Sequence, residues 1–305
     1  MLTRVLGSAA GGGFPQWNCN CRNCHGVRTG SLRATARTQS SIAISSAGHR
    51  WVLCNASPDV HRQIAAHPPL QPRAGVRDSP IAGVILTDGQ IDHAAGLLLL
   101  RENREALDVW ATNPVREDLD TGLPLLLVLD RYCGIRRHLL PDREAPAVIA
   151  ALPGIRISAL PVSGKAGAYS AHRGMARVGD TVALVIRDEQ SGRQLFYAPG
   201  LGAVTPRVEE VLQQSACVLV DGTFWTDDEM IRAKVSTKRA RDIGHLPQSG
   251  PGGMLEVLSR LPRSTRRILI HINNTNPILD EASTERAELA AAGIEVAFDG
   301  MEVDL

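Results

Sequence analysis

The sequence predicts an α/β fold in which strands and helices form one mixed sandwich. Short apolar runs of strand length recur from the first residues to the last. In each half of the chain strands come first and then alternate with helical segments. A length of 305 residues suits two domains or one large α/β domain. Because the two halves follow one order and no low-complexity segment divides them, we expect a single domain over residues 1–305.

The N-terminal part is predicted to be mostly strand. Residues 2–6 are typical of a short buried strand. The glycines of residues 7–13 indicate a tight turn or a close approach of the backbone to a ligand. Residues 40–46 and 50–55 flank a turn-like segment, which predicts a hairpin.

Helices and strands are expected to alternate after this hairpin. The first helix covers residues 58–67, with Ser57 as its N-cap. Residues 81–87 predict a fully buried strand, followed by a helix over 94–103. The polar stretch 226–251 is predicted to be a long loop, and such loops are often functional. Further strands are predicted at 107–111, 155–162, 180–187, 194–198, 216–221, 267–272 and 293–298, and further helices near 114–126, 205–214, 252–261 and 282–292.

Charge and composition exclude two classes of partner. The chain has 33 Lys and Arg residues against 32 Asp and Glu residues, a formal net charge of +1. Binding to nucleic acid or to an anionic membrane surface needs a basic excess, which this chain lacks. Aromatic residues make up 4% of the chain, too few for a base-stacking surface. No apolar run reaches the roughly 18 residues of a membrane span, and no signal peptide is evident, so we expect a cytoplasmic protein.

Three of the six cysteines, Cys19, Cys21 and Cys24, form a C-x-C-x-x-C pattern. In a reducing compartment clustered thiols favour a metal over a disulfide. Thiolates at this spacing can bind one Zn²⁺, and a thiolate-rich tetrahedral site is normally structural. The sequence therefore predicts a structural zinc in an N-terminal Cys-rich loop. The alternative is three unrelated thiols.

A second group of candidate ligands follows the predicted strand 81–87. Asp92 and His93 lie between that strand and the next helix, and His271 ends a later apolar strand. Ligands of α/β folds bind at the carboxyl ends of strands, so these residues predict a site with one carboxylate and two imidazoles. From composition alone, a surface Asp-His pair and a hydrogen-bonded core histidine explain the same pattern.

The segment TDGQIDHAAG at residues 87–96 resembles the metallo-β-lactamase signature T-H-x-H-x-D-H-x-x-G. Further segments resemble the pyrroloquinoline quinone (PQQ) biosynthesis protein B family over nearly the whole chain. These segments are GSAAGGGFPQWNC at 7–19, RTQSSIA at 37–43, NASPD at 55–59, DHAAGL at 92–97, DGTFW at 221–225, GHLPQSG at 244–250, HINNTNPIL at 271–279 and FDGMEV at 298–303. The resemblance implies a metallo-β-lactamase-like αββα sandwich, with two mixed sheets flanked by helices. It also implies a role in making the redox cofactor PQQ from a modified Glu–Tyr peptide precursor.

Departures from the superfamily signature bear on the mechanism. A dinuclear hydrolase needs two histidines at the positions that Asp88 and Gln90 occupy here. The third His of its first metal is missing from residues 160–166, and Gly200 takes the position of the bridging Asp. Two-metal hydrolysis is therefore not expected. All three ligands of the second metal are retained.

The retained residues Asp92, His93 and His271 suit a mononuclear non-haem Fe(II) that activates O₂. Zinc would bind the same groups but could not carry out a redox step. The tyrosine ring of the precursor must gain oxygen to become an ortho-quinone. An iron-dependent hydroxylation therefore fits both this ligand set and the pathway that the resemblance implies.

Four residues are predicted to act around this metal. Asp88 and Gln90 would lie beside it, as hydrogen-bonding groups for the substrate or as a proton relay. His245 is a candidate acid or base, and Asp221 could orient a ligand histidine. The alternatives are an Asp88 that caps its loop, a His245 that anchors its loop, and an ordinary turn at Asp221.

The fourth ligand of the predicted zinc is open. In related phosphodiesterases a His three residues after the strand-end His completes the Cys₃ site, and the matching residue here is Asn274. Because Asn is a poor zinc ligand, the backbone, a water molecule or His25 are alternatives. The zinc is expected to join the Gly-rich loop to residues 271–276 and thereby to support the active metal.

Three functions follow from these patterns. The leading hypothesis is an iron-dependent oxygenase that acts on a small-molecule or peptide-derived PQQ precursor with O₂. The second is a non-catalytic carrier that helps to move PQQ or its precursor toward the periplasm, which the degraded metal site favours. The third is a hydrolase of the peptide precursor, which the missing dinuclear ligands disfavour. Other proteins of the PQQ pathway are candidate partners.

Overall fold

The computed structural model describes residues 1–305 as two β-sheets packed face to face. The first sheet has six strands in chain order: β1 Leu2–Gly7, β2 Ser41–Ser45, β3 Trp51–Cys54, β4 Ile81–Ile85, β5 Leu107–Ala111 and β6 Ile135–Leu139. The second has seven: β7 Ala147–Val148, β8 Ile155–Pro161, β9 Val182–Asp188, β10 Gln194–Ala198, β11 Cys217–Asp221, β12 Arg266–Ile270 and β13 Ile294–Val296.

The two sheets repeat one pattern of strand pairing. In the first sheet β1, β2 and β3 pair antiparallel, and β3 to β6 pair parallel. In the second sheet β7 to β10 pair antiparallel, and β10 to β13 pair parallel. Parallel neighbours need a crossover connection, which explains why every helix except α1 follows the antiparallel strands of its half.

Helices cover the outer faces of both sheets. The helices of the chain are α1 Arg22–Thr29, α2 Val60–Ala66, α3 Ile91–Ala94, α4 Asn113–Thr121, α5 Leu125–Tyr132, α6 Pro206–Gln213, α7 Glu229–Arg232, α8 Met254–Ser259 and α9 Thr284–Ala291. Residues of α2, α4 and α5 pack on the first sheet, and residues of α6, α8 and α9 pack on the second. No helix is long and apolar enough to cross a membrane.

A buried apolar cluster also lies between the two sheets. Ile44 and Ile85 of the first sheet belong to the same buried cluster as Leu184 and Leu219 of the second. Full burial of each such side chain contributes about 1.5–3 kcal/mol, so hydrophobic burial holds the sheets together. The order of layers is helix, sheet, sheet, helix, which confirms the predicted αββα sandwich.

Two predicted helix boundaries near the signature are wrong. The helix predicted at 58–67 begins at Val60 and has Asp59 as its N-cap, and the Ser57 hydroxyl instead accepts from the amide of Asp59 and donates to the side chain of Gln63. The helix predicted at 94–103 is one α-helical turn followed by a 3₁₀ segment, Ala95–Leu100. A Cβ on Gly96 would lie only 2.0 Å from the Ser57 carbonyl oxygen, so the chain bends to follow this close backbone contact.

Two other predicted segments are divided more finely than expected. The helix predicted near 114–126 breaks between α4 and α5, where Gly122 and Pro124 interrupt it. The loop predicted at 226–251 contains α7 and a 3₁₀ turn at Arg241–Ile243. The sequence did not predict α1, β6 and β7, because these elements are short and show no strong hydrophobic periodicity.

The carboxyl ends of three parallel strands meet at one edge of the sandwich. Asp88 follows β4, Asp221 is the last residue of β11, and His271 directly follows β12. These strands come from both sheets, so a site at this edge exists only when the two sheets are packed together.

Candidate metal centre and substrate pocket

Asp92, His93 and His271 converge on one point, as the sequence predicts. One ligand atom of each lies within 4.8 Å of the others. Asp92 Oδ2 is 3.3 Å from His271 Nε2 and 3.9 Å from His93 Nε2. His93 Nε2 is buried and has no hydrogen-bond partner in the protein. A buried unpaired nitrogen beside a second imidazole and a carboxylate fits the ligand set of a divalent metal.

Asp88 lies behind His93. Its two carboxylate oxygens accept hydrogen bonds from His93 Nδ1 at 2.9 and 2.8 Å, and one also accepts from the amide of Gln90. With Nδ1 held in this way, Nε2 is the nitrogen that faces the metal centre. Asp88 is only 3% exposed, so the structure gives it the position of a support for His93. Its predicted contact with substrate stays a prediction.

Thr223 holds the second histidine. Its hydroxyl lies 2.8 Å from His271 Nδ1 and donates to Asp221 Oδ1 at 2.6 Å. His271 has a φ of 61°, a left-handed conformation that is costly for a residue with a side chain. The hydrogen bond to Thr223 fixes the imidazole in this strained turn. Asp221 therefore supports a ligand histidine through a threonine.

His245 enters the same site from the segment that follows α7. Its Nδ1 lies 2.6 Å from Asp221 Oδ2 and 3.1 Å from Thr223 Oγ1. The ring stacks on His271 with centroids 5.4 Å apart and lines the pocket. Asp221, His245 and His271 are also close enough to hold a metal. Asp221 already accepts bonds from Thr223 and the amide of Leu201, however, and this favours a positioning role.

Electrostatics keep the Asp92 carboxylate ionised and raise the proton affinity of His93. Burial raises the pKa of Asp92, but the charge of His93 and the hydrogen bond from His271 outweigh it, so the pKa lies below its usual value. Burial lowers the pKa of His93, but Asp88 and Asp92 together raise it to about 9. A metal would therefore compete with a proton for Nε2 of His93.

A pocket of about 280 Å³ opens over these residues. Gln90 lines it and donates from Nε2 to the carbonyl oxygen of Lys165 at 2.7 Å. A Cβ on Gly200 would touch only Thr181, at 4.0 Å, so there is open space where the hydrolase signature has its bridging Asp. A Cβ on Gly11 would lie 3.2 Å from Asp92 Oδ2, so the Gly-rich turn approaches the centre closely.

The three cysteines of the N-terminal loop also converge. Their sulfur atoms lie within 4.8 Å of one another, and Asn274 Nδ2 is 3.1, 3.5 and 3.4 Å from Sγ of Cys19, Cys21 and Cys24. The oxygen and nitrogen of an amide are assigned by hydrogen bonding, so rotation of this amide would turn Oδ1 toward the sulfurs. His25 bonds to Asn20 and lies outside this group.

Sequence reasoning missed two residues that build the site. Thr223 lies in the segment DGTFW but has no motif of its own. Asn55, in NASPD, has a φ of 69° and binds Thr87 through both its amide oxygen and its amide nitrogen. That pair fixes the start of the loop that carries Asp88. Their positions inside the recognised segments are the only signal that could have indicated them.

Comparisons with known proteins agree with this geometry. Residues 50–272 match the family described as "Beta-lactamase superfamily domain". Coenzyme PQQ synthesis protein B of Azoarcus sp. (strain BH72) is 58% identical over the full length of both chains. The chain belongs to the coenzyme PQQ synthesis protein B family. The family member of Methylobacillus flagellatus is 53% identical, again over all of both chains.

Solved structures extend the comparison. Zn(2+)-bound PqqB from Methylobacterium extorquens has a TM-score of 0.91 and 39% identity, and the match covers all of both chains. A diphosphatase from the PhnP family has a TM-score of 0.69 at 16% identity, covering all of this chain and 97% of that one, which shows the fold alone. These findings confirm the family resemblance and support a place in PQQ biosynthesis.

Glu229 is hydrogen-bonded to the loop that lies between the two candidate metal sites. It is buried, and its carboxylate accepts hydrogen bonds from Thr275 Oγ1 and, at 2.6 Å, from the amide of Trp225. Thr275 directly follows Asn274. Burial raises the pKa of Glu229 to about 7, although these hydrogen bonds oppose the shift.

This pKa predicts a loss of stability as the pH rises. Between about pH 4.5 and 7 the unfolded chain has released the proton that the folded chain retains, so the free energy of unfolding falls. We expect Glu229→Gln to remove on the order of 2 kcal/mol of this fall between pH 5 and 8, measured by urea unfolding. The exposed Glu288→Gln should keep the wild-type pH dependence. Equal slopes for wild type and Glu229→Gln would contradict the assignment.

Proposed function

We propose that this protein acts in PQQ biosynthesis as an Fe(II)- and O₂-dependent hydroxylase of the tyrosine ring of a Glu–Tyr-derived precursor. The observation that carries the proposal is the convergence of Asp92, His93 and His271 around the unpaired Nε2 of His93. The open space beside Gly200 supports a single metal and leaves room for a ligand. The names of the full-length relatives support the pathway.

Asp92, His93 and His271 would hold the iron, because they offer one carboxylate and two imidazole nitrogens. Bound Fe(II) would supply the redox reaction with O₂ that zinc cannot supply. For each hydroxylation one oxygen atom of O₂ enters the ring and the other leaves as water, with two electrons from an external reductant.

The chain's own residues orient the ligands and move a proton. Asp88 and Thr223 each hold Nδ1 of one ligand histidine, which leaves Nε2 directed to the centre. His245 lines the pocket while Asp221 binds its Nδ1, so the pair is arranged to accept the phenol proton of the substrate at Nε2. Gln90 lines the same pocket and orients the segment at Lys165.

The oxygenase proposal predicts incorporation of O₂ into the precursor. Protein loaded anaerobically with Fe(II), given a synthetic Glu–Tyr precursor and ascorbate, should transfer ¹⁸O from ¹⁸O₂ to the ring, as measured by mass spectrometry. His271→Ala should lower the rate at least about 100-fold, because a metal ligand is lost. The exposed His49→Ala is the matched control and should keep the wild-type rate. No incorporation together with tight binding of PQQ would favour the carrier instead.

The proton-accepting pair predicts a defect in turnover without a defect in metal binding. We expect His245→Gln to lower kcat about 100-fold, the range typical of general acid–base groups. Iron content should stay at the wild-type value, because His245 is not one of the three ligands. Steady-state kinetics and metal analysis of the same sample test both expectations. An unchanged kcat, or loss of the iron, would contradict this role.

We further propose that Cys19, Cys21 and Cys24 bind a structural zinc, with Asn274 in the fourth position. Cys24→Ser should lose the zinc, about one ion per chain, and lower the Tm, as measured by metal analysis and calorimetry. Cys133→Ser is the matched control, since Cys133 is a free, partly buried thiol outside the cluster. Zinc retained in Cys24→Ser would rule out this assignment.

A further inference from the structure

Two cationic side chains line the pocket in addition to the metal ligands. They are Lys165 and Arg173. Lys165 Nζ donates to the carbonyl oxygen of Asp242, and Arg173 Nη1 donates to the carbonyl oxygen of Ala166 at 2.8 Å. Neither forms an ion pair with a carboxylate. An ammonium has three N–H donors and a guanidinium five, so donors remain free on both.

The other charged groups of the pocket are already paired. Asp88 binds His93, and Asp92 binds His271. His245 binds Asp221 beneath the pocket wall. The two unpaired cations therefore share the space over the centre with any divalent metal held there. Like charges in one small pocket repel one another, and an anionic ligand would remove that repulsion.

The segment that carries Lys165 is fixed in place. Gln90 binds the main-chain oxygen of Lys165, and the amide of Gly202 donates to the carbonyl oxygen of Ser163 at 2.8 Å. Residues 160–166 are those in which the hydrolase signature would place its missing His. A fixed cation thus occupies the part of the pocket where the sequence lacks the ligands of a first metal.

We infer that Lys165 and Arg173 bind the carboxylate groups of an amino-acid-derived substrate and hold its ring toward the metal centre. A carboxylate is the anion that an ammonium and a guanidinium recognise with charge-assisted hydrogen bonds. The direction of the ring rests on the proposed function. The recognition of carboxylates depends on the two cations alone.

Binding of a dicarboxylate and of its neutral ester tests this inference. The probes are the dipeptide glutamyl-tyrosine and its dimethyl ester, titrated by calorimetry into zinc-loaded protein, in which no oxygen chemistry takes place. Wild type should bind the acid about tenfold more tightly than the ester, a ratio typical of charge-assisted hydrogen bonds at a partly solvated site. Lys165→Met and Arg173→Gln should each reduce this preference, and the double variant should abolish it.

Lys238→Met and Arg193→Gln are matched controls, because both are exposed cations that do not line the pocket. They should keep the wild-type preference. No binding of the dipeptide, equal affinities of wild type for acid and ester, or a full preference in the double variant would overturn the inference. Failure of the proposed oxygenase function can be distinguished from failure of this inference. If the protein is not an oxygenase, ¹⁸O incorporation will be absent but the preference for the acid will remain.

Discussion

Each imidazole of the candidate metal centre depends on a buried acid that fixes its Nδ1, either directly or through a threonine. Asp88 binds Nδ1 of His93 directly, and Asp221 reaches His271 through Thr223. Burying a carboxylate is costly unless it is paired and hydrogen-bonded, and Asp88, bonded to His93, and Asp221, bonded to His245 and Thr223, both meet that condition. The sandwich makes this arrangement possible because it brings the ends of β4, β11 and β12 to one edge.

The loop after β12 joins the two candidate metal sites. It begins at His271 in a left-handed conformation and reaches Asn274 among the three cysteine sulfurs. Glu229 then holds the next residue, Thr275, from the side of α7. Because both sites share this short backbone, displacement of Asn274 would also disturb the turn that orients His271.

The fold and the candidate metal ligands could be predicted from the sequence, but the residues that hold those ligands in place could not. Hydrophobic periodicity and strand order predict a mixed sandwich, and the family resemblance implies its two sheets. Asp92 and His93 come from a recognisable signature, and His271 comes from the end of an apolar strand. Thr223 and Asn55 could not be predicted, because their roles depend on contacts between distant segments, and neither residue type signals such a contact. The helix after Asp92 was predicted too long because the contact of Gly96 with the Ser57 carbonyl is likewise tertiary. Lys165 and Arg173 are single cations in irregular segments, so a binding role for them is indicated only by their positions in the pocket.

The candidate metal ligands come from both halves of the repeated strand pattern. Asp92 and His93 belong to the first half of the molecule and His271 belongs to the second, so neither half contains a complete ligand set. An incompletely folded chain would therefore lack a three-ligand pocket for a redox-active ion. An ion bound by all three residues would stabilise only the state in which the two halves are packed together, and it would thereby favour correct assembly.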